Sequence, residues 1–76
     1  MQTFQDENLL VWEAYPSGGR HGFSENANIA FHCLSDASIR PRFIMHRGDS
    51  ADAGRSVREA TPEALLALLH RAAPLP

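Results

Sequence analysis

The chain has no lysine. Its seven basic residues are all arginine and are outnumbered by nine acidic residues, which gives a formal net charge of −2. A protein held mainly by phosphate contacts needs a concentrated positive surface, and this balance does not supply one. Nucleic acid is therefore not an expected partner. Weak contact would require the acidic residues to segregate away from the arginines at 40, 42, 47, 55 and 58.

A single cysteine and the lack of a long apolar run bear on the compartment. Cys33 has no second cysteine to pair with in the chain, and it lies in an apolar segment, which is typical of a buried thiol in a reducing compartment. No stretch approaches the roughly 18 apolar residues that cross a bilayer, and the first residues lack the basic region of a signal peptide. We expect a cytoplasmic protein with no membrane association.

The length leaves little room for a hydrophobic core. Seventy-six residues accommodate one domain, covering 1–76, and a chain of this size buries roughly 60% of the surface that it exposes when unfolded. Many of the hydrophobic residues are alanine, which contributes little burial, so self-association is expected to supplement the core.

Three short segments rich in branched and aromatic residues predict β-strands. They cover residues 9–15, 28–34 and 42–47. Pro16 and the glycines after it are expected to end the first strand, because proline cannot donate to a sheet and paired glycines favour a turn. Residues 20–28 are then predicted to form a long hairpin loop.

One C-terminal helix is predicted from Thr61 onwards. Thr61 offers an N-cap hydroxyl, Pro62 suits the first helical position, and Glu63 lies near the positive end of the helix dipole. Pro74 ends the helix. Its apolar residues fall on one broad face, made of Leu65, Leu66, Leu68, Leu69, Ala72 and Ala73.

These elements predict an α+β fold in which a small antiparallel meander of three strands carries the helix on one face. Residues 50–60 contain one large apolar residue, Val57, and are expected to form a connector or a short edge strand, which would be a fourth strand. Residues 1–8 are polar apart from Phe4 and are expected to form a loose arm unless Phe4 is tied down.

Alternation along the strands divides their side chains between two faces. We expect the helix to cover the face formed by Leu10, Trp12, Phe31, Cys33, Phe43 and Met45. The opposite face then receives Val11, Glu13, Tyr15, Ala30, His32, Leu34, Arg42, Ile44 and His46. This second face has no covering element in the predicted fold, so its apolar residues favour association with another molecule.

The candidate binding residues follow from this division and from one loop. Imidazoles beside a carboxylate can ligate a metal or transfer protons, but the spacing of these residues matches no known ligand pattern. Arg20 lies in a glycine-containing loop that would suit an anion, and Tyr15 is placed as a contact residue. The predicted binding residues are Glu13, Tyr15, Arg20, His32, Arg42 and His46.

The sequence thus predicts a small non-enzymatic binding or interaction module. It is expected to act as a homodimer or with a small protein partner, through the uncovered face of the sheet. No catalytic residue, metal ligand or cofactor is predicted. The alternative is a small ligand-binding or metal-binding protein, or an enzyme, that uses the cluster of Glu13, His32, Arg42 and His46.

Overall fold

The computed structural model describes residues 2–18 and 27–74, and these form one antiparallel sheet and two helices. The five strands lie side by side in the order in which they occur in the chain. The α+β class and the antiparallel meander are confirmed, with two more strands and one more helix than predicted. The elements are β1 (Gln2–Gln5), β2 (Val11–Gly18), β3 (Ala27–Cys33), β4 (Arg42–Met45), α1 (Ser50–Glu59), α2 (Pro62–Arg71) and β5 (Ala73–Pro74).

The central pair of strands, β2 and β3, carries much of the core. Trp12 lies opposite Cys33, and Ala14 lies opposite Phe31; all four side chains are buried. The sequence predicted that Pro16 ends β2, but the strand continues to Gly18. The backbone N–H and C=O groups of successive residues in an antiparallel strand point alternately to its two neighbours, and those of residue 16 point toward β1. Because β1 starts opposite Ala14, the missing N–H of Pro16 breaks no ladder bond in the described sheet.

The N-terminal segment is a strand, so the prediction of a loose arm is wrong for residues 2–8. Phe4 is buried, and its ring meets the ring of Phe31 edge-on, with centroids 6.0 Å apart. The side-chain amide of Gln2 donates a hydrogen bond of 2.9 Å to the carbonyl of Ala60, at the end of α1. One aromatic side chain and one amide therefore fix the edge strand.

Residues 50–59 form the helix α1, where the sequence predicted a connector or an edge strand. Its N-cap, Asp49, accepts a hydrogen bond from the backbone N–H of Asp52, whose carboxylate in turn accepts from the N–H of Asp49. This reciprocal arrangement satisfies two backbone donors at the helix start. Gly54 and Val57 are buried against the sheet, and a Cβ atom added at Gly54 would lie 3.6 Å from Pro16. Small residues therefore let α1 approach β2 closely.

Loss of the Asp49 cap is expected to destabilise the protein. The variant Asp49→Ala leaves the first turn of α1 without its side-chain acceptor, at an expected cost of about 1 kcal/mol of unfolding free energy. Urea unfolding followed by far-UV circular dichroism measures this change. The control is Glu59→Ala, an exposed position at the other end of α1, and an equal loss in both variants would contradict the capping role.

The helix α2 begins as predicted. The Thr61 hydroxyl accepts a hydrogen bond of 3.2 Å from the backbone N–H of Ala64, and Pro62 is the first helical residue. Leu65 and Leu69 of the predicted apolar face are buried. The helix ends at Arg71 instead of reaching Pro74, so Ala73, which the sequence placed on that face, is an exposed residue of β5. The chain then pairs Ala73 with Phe43, so a two-residue strand closes the far edge of the sheet.

Both helices contribute to the same hydrophobic core, on one side of the sheet. In the described residues, both helices therefore lie on the same face of the sheet, where the sequence predicted a single helix. In residues 2–18 and 27–74, neither helix is long and apolar enough to cross a bilayer. The buried residues of the core are Phe4, Trp12, Ala14, Ala27, Ile29, Phe31, Cys33, Ala53, Val57, Leu65, Leu69 and Ala72.

Candidate functional site

The side of the sheet turned away from the helices is the candidate site, and we call it the open face. Strand register and alternation define its members. Two of its apolar side chains are strongly exposed: Met45 at 68% and, just after β3, Leu34 at 48%. The open face consists of Thr3, Gln5, Val11, Glu13, Tyr15, Ser17, Asn28, Ala30, His32, Leu34, Phe43 and Met45.

Two neighbouring rows on β2 and β3 form the middle of the open face. In one row Glu13 lies directly opposite His32, and in the next Tyr15 lies opposite Ala30. Phe43 follows Ala30 on the other side, so a small residue stands between two aromatic ones. Ala30 is only 7% exposed although no helix covers it. The centre of the face is thus a small residue that its larger neighbours largely cover, next to an acid and a base.

Within residues 2–18 and 27–74, the side chains of Glu13 and His32 have no polar partner. Neither side chain makes a hydrogen bond or an ion pair with any residue in the described ranges. Directly opposed positions in an antiparallel sheet have Cβ atoms about 5 Å apart, so the carboxylate and the imidazole share one patch of surface. An acid and a base are therefore available side by side for an outside partner.

The predicted placement of β4 is wrong, and Arg42 and His46 lie on the helix side of the sheet. Arg42 pairs with the buried Phe31, and opposed residues point to the same face. Its guanidinium donates a hydrogen bond of 3.3 Å to the carbonyl of Leu69 in α2. The imidazole Nε2 of His46 lies 3.4 Å from the hydroxyl of Ser56 in α1.

The same register corrects three further positions. Ile44 pairs with the buried Ile29 and packs against the core, whereas Phe43 and Met45 point to the open face. The predicted cluster of four polar residues is accordingly split by the sheet, with Glu13 and His32 on one side. Arg20, the remaining predicted binding residue, lies outside the described residues.

A buried carboxylate that the sequence did not reveal as important organises the turn between β1 and β2. Asp6 is 9% exposed. One of its oxygens accepts backbone hydrogen bonds from Asn8 and Leu10, at 2.8 and 3.0 Å, and the other accepts from the indole N–H of Trp12 at 2.9 Å. Both carboxylate oxygens are therefore used in hydrogen bonds within the fold, which makes Asp6 a structural residue.

These contacts change the acidity of Asp6. Burial raises its pKa, but the hydrogen bonds from Trp12, Leu10 and Asn8, together with the nearby His70, lower it, and the net shift is downward. A carboxylate that accepts several hydrogen bonds is favoured in its charged form. Asp6 therefore stays ionised at neutral pH in spite of its burial.

An exposed pair links the same turn to α2. The imidazole of His70 lies 2.9 Å from the carboxylate of Glu7, and both side chains are about half exposed. A hydrogen bond to its own backbone and the one to His70 lower the pKa of Glu7. Solvent screens exposed pairs strongly, so this contact positions the turn more than it stabilises the fold.

The described part of the chain offers a surface rather than a cavity. It contains no pocket and no cluster of three or more His, Cys, Asp or Glu residues arranged to hold a metal ion. No protein-family model matches the chain, and no match was found among curated proteins or solved structures. The functional argument therefore rests on the open face itself.

Proposed function

We propose that this protein is a non-enzymatic interaction module that forms a homodimer through the open face. The observation that carries the proposal is the one-sided cover of the sheet: α1 and α2 both pack on the same face. The face without helices presents Tyr15, Phe43 and Met45 together. Apolar side chains grouped on an uncovered surface favour contact with another protein.

The size of the open face sets the strength of the expected dimer. The strands β1 to β4 contain 4, 8, 7 and 4 residues. At about 3.3 Å per residue and about 4.8 Å between strands, they cover roughly 360 Å². Two such faces would bury about 700 Å², which is below the range of stable specific interfaces. The proposed dimer is therefore a weak one.

A second copy of this chain is the occupant that the composition of the face favours. Its central row contains one acid and one base, so two identical faces can be electrostatically complementary. An acidic partner would repel the acid of this row, and a basic partner would repel its base. A cytoplasmic location, which the buried thiol of Cys33 favours, belongs to the same proposal.

The alternative, a ligand-binding or metal-binding protein or an enzyme, required Glu13, His32, Arg42 and His46 on one surface. The sheet separates the first two from the last two, and Arg42 is engaged with the end of α2. No observation in the described residues favours that alternative over the interaction module.

Replacing Met45 with glutamate tests the proposed dimer. The variant Met45→Glu places a charge within the apolar part of the open face, and we expect the Kd to rise at least tenfold, about 1.4 kcal/mol. Sedimentation equilibrium of both proteins over a range of concentrations measures this change. Met45 is exposed, so the fold is expected to tolerate the substitution, which circular dichroism verifies.

The matched control is Leu9→Glu, because Leu9 is equally exposed, at 73%, but lies in the turn between β1 and β2. This variant is expected to dimerise like the unmodified protein. A chain that stays monomeric at high micromolar concentration contradicts the proposed function. An equal weakening by both substitutions would contradict the placement of the interface on the open face.

A further inference from the structure

The geometry points to a specific dimer arrangement: we infer that its two-fold axis runs parallel to the strands, between β2 and β3, and pairs Glu13 with His32 of the second copy. This inference rests on the proposed function and goes further by naming the contacts. It also assigns a role to two polar residues that have no partner in the described residues.

Symmetry provides the first argument. When two identical faces pack against each other, the two-fold axis lies in the plane between them. An axis along the strands, midway between β2 and β3, exchanges the two strands within each row. The strand β2 of one copy then lies over β3 of the other. Two residues that are opposite each other on β2 and β3 within one sheet therefore also face each other between the two copies.

The residues in the two central rows suit this exchange. Glu13 would face His32 of the second copy, and His32 would face Glu13, which gives two complementary contacts. In the next row the large Tyr15 would face the position of the small Ala30, between Tyr15 and Phe43 of the other copy. Large side chains opposite small ones are what close packing between two surfaces requires.

The competing axis is electrostatically unfavourable. A two-fold axis perpendicular to the strands, through the row of Glu13 and His32, would set each residue against its own copy. Glutamate would then face glutamate and histidine would face histidine, and facing like charges disfavour an interface. Two sheets packed face to face are rotated by about 30° against each other. This rotation displaces the contacts at the centre of the interface least.

The test uses two charge-reversal variants of the full chain, Glu13→Lys and His32→Glu, at about pH 6. Each variant alone brings like charges face to face in both contacts, so its homodimer is expected to be at least tenfold weaker. An equimolar mixture is expected to restore association, because the lysine at position 13 then faces the glutamate at position 32, and the native acid and base face each other. The double variant in one chain is expected to dimerise like the unmodified protein.

Sedimentation equilibrium with one variant labelled distinguishes the outcomes. Weak homodimers and a strong mixed dimer support the inferred axis. If both variants dimerise as well as the unmodified chain while Met45→Glu weakens it, the open-face dimer stands and the inferred axis is overturned. A monomeric unmodified chain overturns the proposed function itself.

Discussion

Replacing Phe31 with alanine is expected to destabilise the monomer by about 4 kcal/mol, in the range typical of buried phenylalanines. Phe31 is completely buried in the middle of β3, and its ring stands at 85° to that of Phe4. Its removal leaves a cavity between the sheet and the helices and releases the edge strand from its main contact. A domain of this length is expected to unfold with a total of roughly 4–11 kcal/mol, so the variant should be marginally stable.

Thermal and urea unfolding at concentrations well below the proposed dimer Kd measure this effect. Phe43→Ala is the matched control, since the same truncation on the open face removes a half-buried ring without leaving an enclosed cavity. We expect its loss to be about 1 kcal/mol. Equal losses at Phe31 and Phe43 would contradict the one-sided core.

Replacing Asp6 with alanine is expected to cost about 3 kcal/mol. The substitution removes three hydrogen bonds and leaves the buried indole N–H of Trp12 without an acceptor. Asp36→Ala is a close control, because Asp36 also accepts from the backbone N–H two residues later but is exposed and bonds to no buried donor. The control is expected to lose much less stability than Asp6→Ala.

The role of Asp6 also predicts how stability depends on pH. Its pKa is lower in the folded protein than in the unfolded chain, so the folded state gains stability from its ionised form. This contribution is complete above the unfolded value, near 4, and is lost as the pH falls through the lower folded pKa. Urea midpoints measured from about pH 6 down to pH 2 should therefore fall less steeply in Asp6→Ala than in the unmodified protein. Parallel pH profiles would contradict this assignment.

The sequence predicted the elements that have strong local signals. The three inner strands carry branched and aromatic residues, and α2 carries a cap, an N-terminal proline and a leucine-rich face. The one-sided cover followed from those elements. These parts of the fold need no knowledge of long-range contacts, because local preference and tertiary packing agree.

The missed elements depend on contacts that local preference does not reveal. In β1, one buried ring and the amide of Gln2 are enough to hold a polar strand. In α1, small residues replace a leucine stripe because the helix lies close to β2. A signal for α1 was present in the two aspartates at positions 49 and 52, which have the spacing of a capping box.

The candidate site was predicted in part. Glu13, Tyr15 and His32 are on the open face, whereas Arg42 and His46 are not. Polarity misled the assignment of β4. Phe43 and Met45 are more apolar than Arg42, yet Arg42 points to the helix side, where its guanidinium reaches the carbonyl of Leu69 in α2. The register of β4 against β3 decides this, and a one-residue shift exchanges every side chain between the faces.

The buried thiol of Cys33, on the central strand β3, can be used to measure how often the core opens. The sulfur lies on the helix side of β3, within the core, and the chain has no other cysteine. An alkylating reagent can react only while the core between β3 and the helices is open. The rate of modification under native conditions therefore counts those openings, without any label having to be introduced.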